Sequence, residues 1–183
     1  MKRKFLLGVG LSFLIAGCSS SQKIETSLNG KYFEADESEL VDNLSKSISN
    51  DFKPEIIEEK GGKYLTLNSI DEKDGYTAIV METNSIDKVE HILINTYVEN
   101  PSADINEFEK KYLIDLPSQL LASFDVEDPE RMAEACYSDM IDTYHTNGEI
   151  INDGIKLTCH SIILDDGKFM LSSRISPENA ELN

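Results

Sequence analysis

Tyr64-Leu65-Thr66-Leu67-Asn68-Ser69-Ile70 is followed by Asp71-Glu72-Lys73-Asp74-Gly75 and then by Tyr76-Thr77-Ala78-Ile79-Val80-Met81-Glu82-Thr83. Two runs that alternate between apolar and polar residues are thus joined by an acidic turn that ends in glycine. A period of two places successive side chains on opposite faces of a strand, and glycine supplies the positive φ that a tight hairpin needs. The same grammar continues on both sides. Ile56 and Ile57 lead into Gly61-Gly62, and Val89 to Val98 follows, so the region predicts a four-stranded antiparallel meander.

Upstream, Asp36-Glu37-Ser38-Glu39 fits a helix-capping box. The residues after it place Leu40, Val41, Leu44, Ile48 and Phe52 on one face of a helix that should stop before Pro54. A short strand, Lys31 to Glu34, is expected before it. Downstream of Asn100-Pro101, Asp104 and Glu107 make a second capping box ahead of Ile105, Phe108, Tyr112, Leu116, Leu120 and Phe124. Pro117 falls inside that period and would clash with the carbonyl of Leu113, so this helix is kinked or is two pieces. Asp128-Pro129 opens a further helix with an N-cap and a proline at its first position.

A second meander then follows, from Glu149 to Ile151, through the turn Asn152-Asp153-Gly154, along Ile155 to Leu164, and after Asp165-Asp166-Gly167 along Phe169 to Ile175. Phe169, Leu171 and Ile175 face one way, and Met170, Ser172 and Arg174 the other, which leaves one sheet face wet. The expectation is an α+β fold: an antiparallel sheet of about seven or eight strands in two meanders, with two or three helices packed mainly on one face. Helix then meander occurs twice without a repeated motif. Whether the strands form one sheet or two is open at this stage.

The chain begins Met1-Lys2-Arg3-Lys4, continues with an apolar run from Phe5 to Ala16, and reaches Ile15-Ala16-Gly17-Cys18 followed by three serines. The run is too short to span a hydrocarbon core, which takes about 20 helical residues, so it reads as an export signal. Ile15-Ala16-Gly17-Cys18 resembles the lipobox of bacterial lipoprotein signal peptides, a likeness confined to residues 1–18. It implies cleavage after Gly17, a diacylglycerol on the Cys18 sulfur and acylation of the new amino group. Two or three chains, at about 0.8 kcal/mol per buried methylene, hold where one alone binds marginally. In a Gram-negative cell, Ser19 resembles the residue that sorts lipoproteins to the outer membrane, facing the periplasm. Residues 1–17 are therefore read as signal peptide, 18–30 as the lipidated cysteine and a Ser-rich flexible tether, 31–176 as one globular domain, and 177–183 as a frayed tail.

The formal charge is −17, and loss of Lys2, Arg3 and Lys4 on cleavage takes it to about −20. So acidic a surface argues against nucleic acid and against lying flat on anionic lipid. It permits a basic protein partner. Two cysteines remain after lipidation, Cys136 and Cys159, in a chain bound for an oxidising compartment. Cys136 shares a helical stripe with Ala133, Tyr137, Met140 and Tyr144, while Cys159 alternates in register with Ile155, Leu157 and Ile163. Both point at the core, so a disulfide is expected there, the other possibility being two buried free thiols.

Candidate general bases are His91, His145 and His160, but none sits in a nucleophile or zinc spacing. His160 neighbours Cys159 on a strand, so the two point to opposite faces and do not share a metal. Asp71 to Gly75 resembles a calcium loop only briefly, since Lys73 stands where an oxygen ligand is needed. Phosphate-cradling glycine loops are missing, and the absence of Trp removes the usual sugar-stacking platform. No catalytic residue, metal or cofactor is assigned. The expected role is a non-catalytic envelope lipoprotein that binds a protein partner in assembly, exclusion or inhibition. The alternative is a lipid-anchored hydrolase or small-ligand carrier with a pocket between sheet and helices.

Overall fold

The computed structural model describes residues 23–52, 54–59, 62–68, 75–83, 87–98, 110–142, 147–163 and 169–181. The expected signal peptide with Cys18, the Asp71 to Asp74 part of the expected turn, the Asp104 capping box, His145 and the Asp165-Asp166-Gly167 turn lie outside these residues. Among the described residues, seven strands form one antiparallel sheet. They are β1 (Pro54–Glu59), β2 (Gly62–Asn68), β3 (Gly75–Thr83), β4 (Val89–Val98), β5 (Asn147–Asn152), β6 (Ile155–Ile163) and β7 (Phe169–Pro177), in the spatial order β1-β2-β3-β4-β7-β6-β5. The two meanders meet where β4 pairs with β7. The last strand of each half is therefore central, and β1 and β5 are the edges.

α1 (Glu37–Ser47) starts where the capping box predicts, with Asp36 Oδ1 accepting from the Glu39 N–H at 2.8 Å. Leu40, Val41 and Leu44 of the stripe are buried on α1, which ends at Ser47 and not just before Pro54; Ile48, in extended backbone, and Phe52, in a separate 3-10 turn (Asn50–Phe52), are buried beyond it. The region around Pro117 resolves into two pieces: a π-helical stretch, Lys110–Asp115, runs into α2 (Leu116–Leu121), and Pro117 sits in the first turn of α2. The wider π turn absorbs the missing N–H and the ring's bulk, as such bulges do inside helices. α3 (Pro129–Asp142) begins at Asp128, which adopts φ 57 and accepts from the Arg131 N–H at 3.4 Å. Asp153 and Gly154 both have positive φ (50 and 75), the primed two-residue turn that matches strand twist.

The helices cover one face of the sheet. Register puts Leu65, Ile79, Ile94, Ser173 and Cys159 in one row beneath them, with Leu67, Thr77, Thr96 and Leu171 in the next. Phe33, itself fully buried, packs on Phe124 with ring centroids 5.0 Å apart. The Thr77 and Thr96 hydroxyls satisfy each other at 2.8 Å inside this core.

Three sequence-based boundaries are corrected. The strand expected at Lys31 to Glu34 is a single bridge, Thr26 to Phe33, because the Phe33 N–H turns to the Val89 carbonyl instead. Residues 23–30, expected within the flexible tether, are built into the domain: Ile24 is buried, and its N–H donates to the Ser123 carbonyl at 2.9 Å. The tail expected to fray from Pro177 is held as far as Glu181. Asn179 N–H donates to the Gly30 carbonyl at 2.9 Å, Ala180 is buried, and Lys31 pairs with Glu181 at 2.7 Å.

Candidate functional site

Cys136 on α3 and Cys159 on β6 come together in the core, as their two periodicities predict. Both are fully buried free thiols, so the expected disulfide is not formed in this structure. Cys159 pairs with Gly148 across β5 and β6, and the absent side chain there leaves room for the Cys136 sulfur above the sheet. Cys136 Sγ lies 3.5 Å from the carbonyls of both Gly148 and Leu157. Hydrogen bonding to Cys159, and then burial, pushes the Cys136 thiol pKa up.

The two described histidines do not share a site. His91 is buried, and its Nε2 meets the Glu181 carbonyl at 2.9 Å under the C-terminal segment. His160 lies on the open face of the sheet, 2.6 Å from Asn147 Oδ1. Burial, and secondarily the Arg174 guanidinium, lower the His160 pKa from 6.5. No group of three or more His, Cys, Asp or Glu among the described residues is placed to hold a metal. No described helix is long and apolar enough to cross a membrane.

The sheet face away from the helices carries Val80, Leu93 and Arg174 in one row and Asn95, Ser172 and His160 in the next. Ser172 donates to Asn95 Oδ1 at 2.8 Å, so the polar row is largely satisfied within itself. It is the wet face that the alternation along β7 predicts.

A concavity lies elsewhere, between α3 and the edge strand β5. Met132, Ala135 and Ile150 form the apolar lining of a groove of about 430 Å³, with Glu127, Asp128 and Arg131 along its rim. Its walls are fixed by side-chain bonds. Glu127 N–H donates to Asp153 Oδ2 at 2.8 Å, and Asn152 Nδ2 donates back to the Glu127 carbonyl at 3.2 Å. Asp125 and Asp128 both take left-handed φ, 61 and 57, to fold this loop against the β5–β6 turn. Sequence reading does not find the groove. The one local signal is Ile150-Ile151, two successive apolar residues on a half-buried strand, of which Ile151 is 52% exposed.

No family model, no curated protein and no solved structure matches the chain.

Proposed function

We propose that this chain is a lipid-anchored envelope protein whose folded domain binds a protein partner of basic character. The observation that carries this reading is the acidic-rimmed groove with its apolar lining, set beside an open strand edge in a chain of formal charge −17. Such a site offers area and charge but no nucleophile, base and orienting group in mutual reach. The lipobox supplies the address, with Cys18 as the acylated residue. The extracellular or periplasmic role follows from export, and membrane retention follows from two or three acyl chains.

The domain's place near the bilayer also follows from the chain. Roughly six residues separate Cys18 from Ile24, a span of at most ~20 Å when fully extended. Ile24 is held to Ser123, so the folded domain sits within that distance of the lipid.

Metabolic labelling with a fatty-acid analogue, combined with Cys18→Ser, tests the anchor. The wild-type chain should incorporate label and sediment with membranes, whereas Cys18→Ser should lose the label and remain uncleaved. Label retained by Cys18→Ser would refute the anchor. For the partner, crosslinking in intact membranes should recover a basic envelope protein whose yield falls as salt rises. Recovery of no specific protein at low salt would refute the binding role.

A further inference from the structure

We infer that the free edge of β5 is the partner-docking site, and that its occupant is an extended basic segment that adds beside β5 as a further strand. This rests on the partner-binding reading above and names the surface and the chemistry of its occupant.

Backbone geometry comes first. The Glu149 N–H donates to Asp139 Oδ2 at 3.2 Å, so it points off the sheet and not toward β6, and an added strand would displace that carboxylate to reach it. Hydrogen bonding along an antiparallel pair alternates, and Asn152 and Ile155, which flank the two-residue turn, are a paired position. Ile151 therefore directs its N–H and carbonyl outward like Glu149. Among the described residues no strand lies beyond β5 in the sheet order. An open edge of this kind is a template for another chain unless it is blunted by Pro, charge or a bulge. β1, at the other edge, is blunted: it opens with Pro54 and carries Glu55, Glu58 and Glu59. β5 carries one glutamate, Glu149, against the three of β1, has no Pro, and presents Ile150 and Ile151.

Groove and charge select what is added. A strand laid about 4.8 Å from β5 would send alternate side chains toward α3, above Met132, Ala135 and Ile150. The remaining side chains would lie beside the exposed Ile151. Around this position Glu127, Asp128, Glu130, Glu134, Glu149 and Asp153 are all exposed, against two cations, Arg131 and the half-buried Lys156 that pairs with Ile151, so carboxylates outnumber cations six to two. Lysine or arginine on the incoming segment would answer that rim. The same rim excludes a second copy, since pairing β5 with β5 would bring two acidic borders together. Strand addition with pockets for alternate side chains is an established mode of peptide recognition.

The test uses the full mature chain in zwitterionic lipid nanodiscs and, as probe, a fluorescent peptide of about ten alternating lysines and valines. Binding should be saturable and should weaken as salt rises to roughly 300 mM. Methylating alternate backbone nitrogens of the peptide removes its ladder bonds and should weaken binding by about tenfold or more. Ile151→Pro, tolerated at an edge position, should do the same while thermal unfolding stays unchanged. Glu127→Lys with Glu130→Lys should abolish the salt dependence, and Val80→Asp on the open face should have no effect. The proposal is overturned if no peptide binds, if the methylated peptide binds equally well, or if Val80→Asp weakens binding and Ile151→Pro does not. Crosslinked capture of a basic partner by both wild type and Ile151→Pro would remove the β5 site and leave the partner-binding reading standing. Capture by neither would remove that reading as well.

Discussion

Oxidation of Cys136 and Cys159 should join α3 to β6, and its consequence can be worked from their positions. The bond would close a loop of about 24 residues, for which the chain-entropy relation gives about 3.4 kcal/mol at 25 °C. For a domain of this size that corresponds to a rise in Tm of roughly 7–14 °C. The route matters as much as the magnitude. Both sulfurs are fully buried, and the pKa of Cys136 is raised by Cys159 and by burial, so the thiolate that attacks in exchange is scarce in the folded chain. The bond must then form before α3 docks, with an envelope thiol oxidant accepting the two electrons and two protons released. Protein purified from the envelope, denatured without reductant and alkylated, should show no adduct by intact mass, and two after reduction. Oxidised and reduced forms should differ in Tm by the stated range, and Cys159→Ala should abolish that difference. Two alkylation adducts on the unreduced, exported chain would refute the pairing.

His160 titrates below 6.5, so the unfolded chain binds this proton more tightly than the folded one. Its stabilising contribution is present above pH 6.5 and is lost as pH falls through the lowered folded value. His160→Gln should therefore flatten the decline in Tm between pH 7 and 5, and an NMR midpoint at or above 6.5 in the wild type would contradict this. Arg174→Met should raise the midpoint only in part, because burial is the larger cause. Removing residues after Pro177 deletes the backbone bonds from Glu178 to Gly154 and from Asn179 to Gly30. At about 1 kcal/mol each, the truncation should cost about 2 kcal/mol, or roughly 4–8 °C in Tm. His91 should at the same time become accessible to hydrogen exchange. An unchanged Tm would mean that the C-terminal segment contributes nothing.

What was legible in the sequence is what local periodicity and turn chemistry decide. The α1 stripe, the β2–β3 alternation, the Asp153-Gly154 turn and the division at Pro117 each depend on neighbours within a few residues. The order of the strands does not. That β4 meets β7 follows from burial of Ile92 and Ile94 against Ile175 and Leu171, and no local pattern encodes it. The segment around Ile24 and the end of the chain look loose in sequence because each is polar and short. Single apolar residues are buried there, Ile24 with its own N–H bonded to Ser123 and Ala180 beside Asn179, whose N–H donates to the Gly30 carbonyl. The groove between α3 and β5 was invisible for the same reason. Its lining comes from α3 and its edge from β5, and its rim depends on carboxylates whose left-handed backbone could be guessed only for Asp153, beside its glycine.

The first described residues and the groove belong to one structural unit. Lys23 is ion-paired with Asp125, and Ile24 is bonded to Ser123. Two residues beyond Asp125, Glu127 forms the groove's rim and is tied to the β5–β6 turn. A lipid on Cys18 would thus place the open edge of β5 at the membrane-proximal end of the domain. A site built on one strand edge and a small groove binds weakly in free solution. Confinement to a shared surface raises the effective concentration of a nearby segment into the millimolar range for a short tether, so weak binding there is sufficient. On an anchored chain the acidic surface, repelled by anionic lipid, would hold the domain off the bilayer. A basic segment from a membrane-bound neighbour would be attracted to that same surface, so one charge distribution would exclude the lipid and select the proposed partner.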